Sequence, residues 1–178
     1  VAPRDPIIRF LLLAGGLYLG WYLLYELVLH PAGGLDRWLI ESLVLLSGGA
    51  LELLGETLLD EPGKADGFRT VGVQGGYPLW IGDSCNGASL FAVYLIFLLA
   101  YPGPWRHKLW FAPLGLGLIH LINAARIVAL VLIARRNYDL LNFNHDYTFH
   151  VVVYGFTFLL WAIWVKRFAP RATPVPPA

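Results

Sequence analysis

The sequence predicts an all-α membrane protein of about four transmembrane helices, with one interfacial amphipathic helix and a short extracytoplasmic β-hairpin. Composition is the first ground: 57% of the 178 residues are hydrophobic and 14% are charged, with a mean hydropathy of +0.60. A soluble chain of this length has little use for so much apolar surface, so the bilayer is the implied solvent. Run length is the second, because several apolar stretches approach the roughly 20 residues that cross a hydrocarbon core as helix. The third is one stretch unlike the rest, Phe68–Gly82, whose short runs and central glycines read as strands and a turn. Seven Trp and nine Tyr suit side chains at headgroup depth. A net charge of +1 leaves no basic face able to neutralise several phosphates. Nucleic acid is thereby excluded as a partner, and membrane lipid is expected.

In chain order, Ile7–Leu29 is the first span, interrupted only by Arg9 and Glu26. It lacks an Ala-x-Ala exit and is long enough to cross, so it reads as an anchor and not as a cleaved signal. Leu35–Leu59 comes next. Arg37, Glu41, Glu52, Glu56 and Asp60 fall on one broad helical face, with Leu43, Val44, Leu46, Leu51, Leu54 and Leu58 mostly elsewhere. That pattern predicts a helix lying in the interface, with a fifth crossing as the alternative. Phe68–Val73 and Tyr77–Gly82 flank Gln74-Gly75-Gly76 as a hairpin. Ala88–Tyr101, reaching back to Cys85, is the second span, and the prolines of Pro102–Lys108 enforce a tight loop. Leu109–Ala134 and Phe149–Val165 are the third and fourth. Residues 1–171 read as one domain without internal repeats, and the proline-rich tail Ala172–Ala178 predicts disorder.

With four crossings, Arg4 and Arg9, Arg106 and Lys108, and Lys166, Arg167 and Arg171 share one side, against Arg135 and Arg136 alone. The positive-inside rule makes that side cytoplasmic. Three residues distant in sequence then meet at the opposite face. Cys85 opens the second span there, and His145 precedes the fourth. Arg126 lies about 25 Å along the third helix from Leu109, close to its outer end.

A single cysteine cannot form an internal disulfide, so Cys85 is an apolar filler, an intermolecular partner or a reactive thiol. Asp83 or Ser84 is placed to cap a helix starting at Cys85, where first-turn N–H groups and the helix dipole favour a thiolate. Asn86 and Gly87 beside it offer an amide and close backbone approach. A guanidinium at the depth of Arg126 costs on the order of 2.5 kcal/mol or more unless it faces the bundle interior. His120, Asn123 and Arg126 recur at spacing three as a polar stripe on one helix side. His145 has Asp146 beside it, whereas His150 points roughly 140° away if the helix is regular. His150 stays an alternative and His120 a deeper one, while His30 and His107 have no supporting polar cluster.

A thiol, a guanidinium and an imidazole at one membrane level are the parts of a cysteine acyl-transfer site. Asn86 and Asn123 are the expected substrate-contacting amides. The cysteine and histidines lack the spacing of a zinc site, and no metal or cofactor is expected. The competing reading is a non-catalytic membrane scaffold or assembly factor, in which Arg126 pairs with a partner helix's carboxylate. A small transporter subunit fits less well, because no span is broken.

The motifs carry a likeness. Asp83-Ser84-Cys85-Asn86-Gly87 is followed by a span and a Pro-Gly turn. His120-Leu121-Ile122-Asn123-Ala124-Ala125-Arg126-Ile127 and Asn144-His145-Asp146-Tyr147-Thr148-Phe149 come after it, then Tyr154-Gly155. Together they resemble the exosortase/archaeosortase family, and most closely its short Bacteroidetes-type members. The resemblance runs from Ile81 to Val165, about half of the chain. It implies a multi-spanning cysteine protease or transpeptidase of the bacterial inner membrane, its Cys-Arg-His site facing outward. The implied catalytic residues are Cys85, Arg126 and His145. The implied partner is an exported protein ending in a short motif, an apolar helix and a basic tail. Many members carry Ser-Gly after the cysteine where this chain has Asn86-Gly87.

Overall fold

A computed structural model describes residues 5–59, 64–65 and 68–169. The tail 172–178, Arg4, Asp60 and Arg171 lie outside the described residues. The protein is mostly helical with a small antiparallel sheet. Helix α1 (Pro6–Leu24) opens on Asp5, whose carboxylate accepts the Ile7 N–H, with Pro6 in the first turn. It continues through a π-helical turn, Tyr25–Leu29, into α2 (His30–Ala32), and Gly33 ends it at φ 65°. Three helical stretches are long and apolar enough to cross a membrane: Pro6–Ala32, Trp105–Arg136 and Phe149–Arg167.

Helix α3 (Gly34–Leu53) follows. It stops short of the predicted 35–59 because Gly55 turns the chain at φ 83°. Glu56 therefore lies beyond the helix, where it pairs with Arg135. Strands β1 (Lys64–Ala65), β2 (Phe68–Val71) and β3 (Leu79–Ile81) pair in that order. The predicted hairpin is β2 with β3, Thr70 facing Trp80 and Val71 facing Leu79. Gly75, at φ 77°, makes its turn. Neither β1 nor the bridge from Leu58 to Val73 was expected.

Helix α4 (Ala88–Ala100) has 13 residues and does not reach back to Cys85. Helix α5 (Trp105–Arg136) has 32, and about 48 Å of helix exceeds the hydrocarbon core by half. Helix α6 (Asp139–Phe143), a π-helical turn Asn144–Thr148 and α7 (Phe149–Arg167) complete the chain.

Two cores result. In the bundle, α1, the first half of α5 and α7 surround α4. Leu90, Tyr94, Leu98, Phe111, Ile119, Val153, Leu160 and Trp164 are buried together there. Phe10 meets Phe97 and Tyr101 edge-on, and Trp161 stacks on Phe97 at 4.4 Å. Gly115 is obligatory, because a Cβ would sit 2.0 Å from the Tyr94 hydroxyl, itself bonded to the Phe111 carbonyl at 2.7 Å. Lys108 is not a surface charge: its buried Nζ donates to the Leu99 and Tyr101 carbonyls at 3.0 and 2.8 Å, satisfying the end of α4.

The other core is a cap. Here α3 runs in the same direction as the second half of α5, with Ser42 bonded to His120 at 2.9 Å near one end and Glu56 paired with Arg135 at the other. Ile40, Leu43 and Leu51 of α3 close on Val71, Val73 and Ile81 of the sheet segment and on Ala124, Ile127 and Val131 of α5. Arg69 reaches across from β2 to Glu41 at 3.1 Å.

Candidate functional site

The seam between bundle and cap holds the predicted residues. Cys85 ends a single 3-10 turn, Asp83–Cys85, and does not begin a helix as the sequence suggested. Gly87, at φ 85°, intervenes before α4 starts at Ala88. The capping group is Asn86, whose Oδ1 accepts the Ala88 N–H at 2.8 Å. The sulfur thus precedes the helix by a turn, and the expected first-turn dipole argument does not apply to it.

His145 lies in the π-helical turn and not in a loop, because Asp139–Arg167 is helical almost throughout. Its Nε2 is 3.7 Å from the Cys85 Sγ, within reach of a hydrogen bond between thiol and imidazole. His150 does not make that contact. In a π turn five residues close one turn, so His150 comes over His145 and its Nδ1 lies 3.0 Å from the His145 carbonyl.

Arg126 lines the same cavity as Cys85 and His145, a cleft of about 250 Å³ that Asn123 also lines. Among the described residues no carboxylate pairs with Arg126, and its Nε is buried without a hydrogen-bond partner. A buried cationic donor without an acceptor is costly unless an anion arrives to use it. Asn123 donates to the Cys85 carbonyl at 2.9 Å and so fixes the turn that presents the sulfur. His120 does not enter the cleft; it bonds Ser42 and joins α5 to α3.

Asn86, expected to face substrate, is buried and committed to the scaffold. Its Nδ2 donates to Asp36 Oδ1 at 2.6 Å. The same oxygen accepts the Tyr25 hydroxyl at 2.8 Å, and Oδ2 lies 3.0 Å from His30 Nδ1. Sequence reasoning missed this network and gave His30 no polar neighbours. Its signal was faint: Asp36 is six residues on, but Asp83, 3.6 Å from His30, comes from a distant segment. Burial and the Asp36 carboxylate hold the Asp83 carboxyl above the usual carboxylate range, with His30 pulling it down.

Ligand-type atoms of His30, Asp36 and Asp83 lie within 4.8 Å of one another, beside a separate cavity of about 210 Å³. Asp36 already serves three donors there, so its first task is to hold the turn carrying Cys85. No family model, no curated protein and no solved structure matches the chain.

Proposed function

We propose that this protein is a membrane-embedded cysteine peptidase or transpeptidase of the exosortase type. It would cleave the C-terminal sorting signals of exported proteins at the extracytoplasmic face of the bacterial inner membrane. One observation carries the reading: a thiol 3.7 Å from an imidazole, in a cleft shared with Arg126, whose buried Nε has no hydrogen-bond partner among the described residues.

In this reading four helices cross the membrane, α4 being the short one. Its 13 residues give about 20 Å of helix, extended by the turns that precede it. Arg9, Arg106, Lys166 and Arg167 lie at the end of the bundle away from Cys85, and the positive-inside rule supports calling that end cytoplasmic. Helix α3 keeps Leu45 and Leu53 exposed, which suits a helix held at the outer interface.

The chemistry follows from the atoms in the cleft. Cys85 gives its proton to His145 Nε2 while Sγ bonds to the scissile carbonyl carbon. The Arg126 guanidinium stabilises the oxyanion, where a desolvated cation acts strongly. The C–N bond then breaks, His145 returns the proton to the leaving amine, and an acyl thioester remains on Cys85. Water or an amine attacks the thioester; His145 takes the attacker's proton, and the sulfur departs and is reprotonated.

Coexpression with a protein bearing such a C-terminal signal tests this. Cys85→Ser should abolish its processing, and His145→Ala should slow it by about 10²–10⁴-fold, whereas His150→Ala should change it little. Undiminished processing in the Cys85→Ser variant defeats the proposal. The unpaired Arg126 also suits a scaffold that awaits a partner's carboxylate. A thiol that resists membrane-impermeant alkylation from outside at every pH would favour that scaffold.

A further inference from the structure

The corner between the first helical stretch and α3 gathers groups that the cleft does not use. His30 and Asp36 flank Gly33, whose positive φ turns the chain between α2 and α3. Asp83 arrives from the 3-10 turn that carries Cys85. His30 Nδ1 lies 3.0 Å from Asp36 Oδ2 and 3.6 Å from Asp83 Oδ2. Two ligand atoms about 2.0–2.1 Å from one zinc ion, at the tetrahedral angle, lie about 3.3 Å apart. The measured separations straddle that value, and all three ligand atoms fall within 4.8 Å of one another.

Other observations at this corner point to a cation. Asp83 Oδ1 is buried with no hydrogen-bond partner among the described residues, a cost that an ion on the carboxylate removes. Tyr25 and Asn86 both donate to Asp36 Oδ1 and leave Oδ2 turned to His30. Outer donors of this kind orient a carboxylate that ligates a metal. A single imidazolium balances one of two facing carboxylates, whereas a divalent cation balances both. His30, Asp36 and Asp83 together border the cavity of about 210 Å³, which gives an ion and its waters a way in. Arg37 and Arg69 border it too, with Arg69 drawn to Glu41.

We infer that His30 Nδ1, Asp36 Oδ2 and the Asp83 carboxylate bind a divalent cation of the zinc class, with water from the cavity completing its shell. One imidazole and two carboxylates suit zinc better than calcium or magnesium, which favour oxygen ligands alone. On binding, His30 gives up its Nδ1 proton to solvent and changes from a donor to Asp36 into a ligand beside it. The ion clips three segments together: the end of the first helical stretch, the start of α3, and the turn two residues before the thiol. It braces that turn and takes no part in bond making or breaking. Such a brace needs no reactive sulfur, so the site is independent of the peptidase reading.

The test uses the full chain in detergent, with any affinity tag removed and Cys85→Ser as the background, so that the thiol cannot hold metal. Equilibrium dialysis against micromolar zinc should leave one ion per chain, and zinc should raise the melting temperature above that in chelator. Adding His30→Gln or Asp83→Asn should abolish both effects. Tyr25→Phe, which removes an outer donor, should keep the ion with affinity about tenfold lower. In chelator, the Asp83→Asn chain should melt no lower than its background, which separates loss of a ligand from loss of the fold. No zinc on the Cys85→Ser chain, or undiminished zinc on either the His30→Gln or the Asp83→Asn variant, overturns the site. A Cys85 that proves inert to alkylation sinks the peptidase reading and leaves this result untouched.

Discussion

The bundle and the cap solve the same packing problem with different materials. Three of the eight buried residues of the bundle core are aromatic, Tyr94, Phe111 and Trp164, and rings from Phe97 and Trp161 extend the stack. None of the nine in the cap core is aromatic; it is closed by aliphatic side chains from two helices and a sheet segment. Among lipid tails a leucine gains little by moving from acyl chain to protein, so close van der Waals fit has to hold the helices together. In the proposed reading the cap lies outside the lipid and relies on ordinary aliphatic burial, worth about 25 cal/mol per Å². Where the two meet, neither material is used. Asp36, Asn86 and Asn123 are buried there, and hydrogen bonds fix the backbone on either side of the thiol. The joint is both polar and shielded, and Cys85 lies there.

The sharpest way to break this contrast is Gly115→Val, which drives a side chain into the fully buried Tyr94 ring. The variant should lose the bundle, costing at least the roughly 1–3 kcal/mol of ordinary overpacking, and hydrogen exchange should then accelerate in cap and bundle alike. Its counterpart Leu43→Ala should cost about 2–5 kcal/mol, yet confine the faster exchange to α3 and the strands. Equal behaviour of the two would mean a single core. Next in size is Asp36→Asn, which weakens a carboxylate serving Tyr25, His30 and Asn86. It should cost about 1.5–3 kcal/mol and slow alkylation of Cys85 while both apolar cores keep their protection.

The smallest effect belongs to Asp83→Asn. Native Asp83 keeps its proton to higher pH than it does in the unfolded chain, so folding stability falls as pH rises through its titration. Asparagine removes that dependence. The variant should melt above the parent at pH 7, and the two curves should converge once the pH falls below the ordinary carboxylate range.

Much of this was legible in the residues. Long apolar runs marked three stretches able to cross, and Gln74-Gly75-Gly76 between two short runs gave the hairpin its turn. Spacing and depth brought Cys85, Arg126 and His145 to one cavity, which local periodicity alone could not do. What stayed hidden was decided by backbone sign or by distant partners. Gly87 was read only as room for close backbone approach, and the positive φ that detaches Cys85 from α4 was not drawn from it. His30 looked isolated because the second of its two carboxylates arrives from the Cys85 turn. Lys108 read as one more basic residue near a membrane face, yet two carbonyls at the end of α4 claim its ammonium.

The π-helical turn at Asn144–Thr148 has one consequence for how such a chain evolves. A π turn is an α turn that has absorbed a single extra residue. Deleting one codon there would leave α6 and α7 as one regular helix, still long enough to anchor, while rotating His145 by roughly 100°. Under the proposed peptidase reading, chemistry and anchorage in this scaffold are thus separable by one small indel.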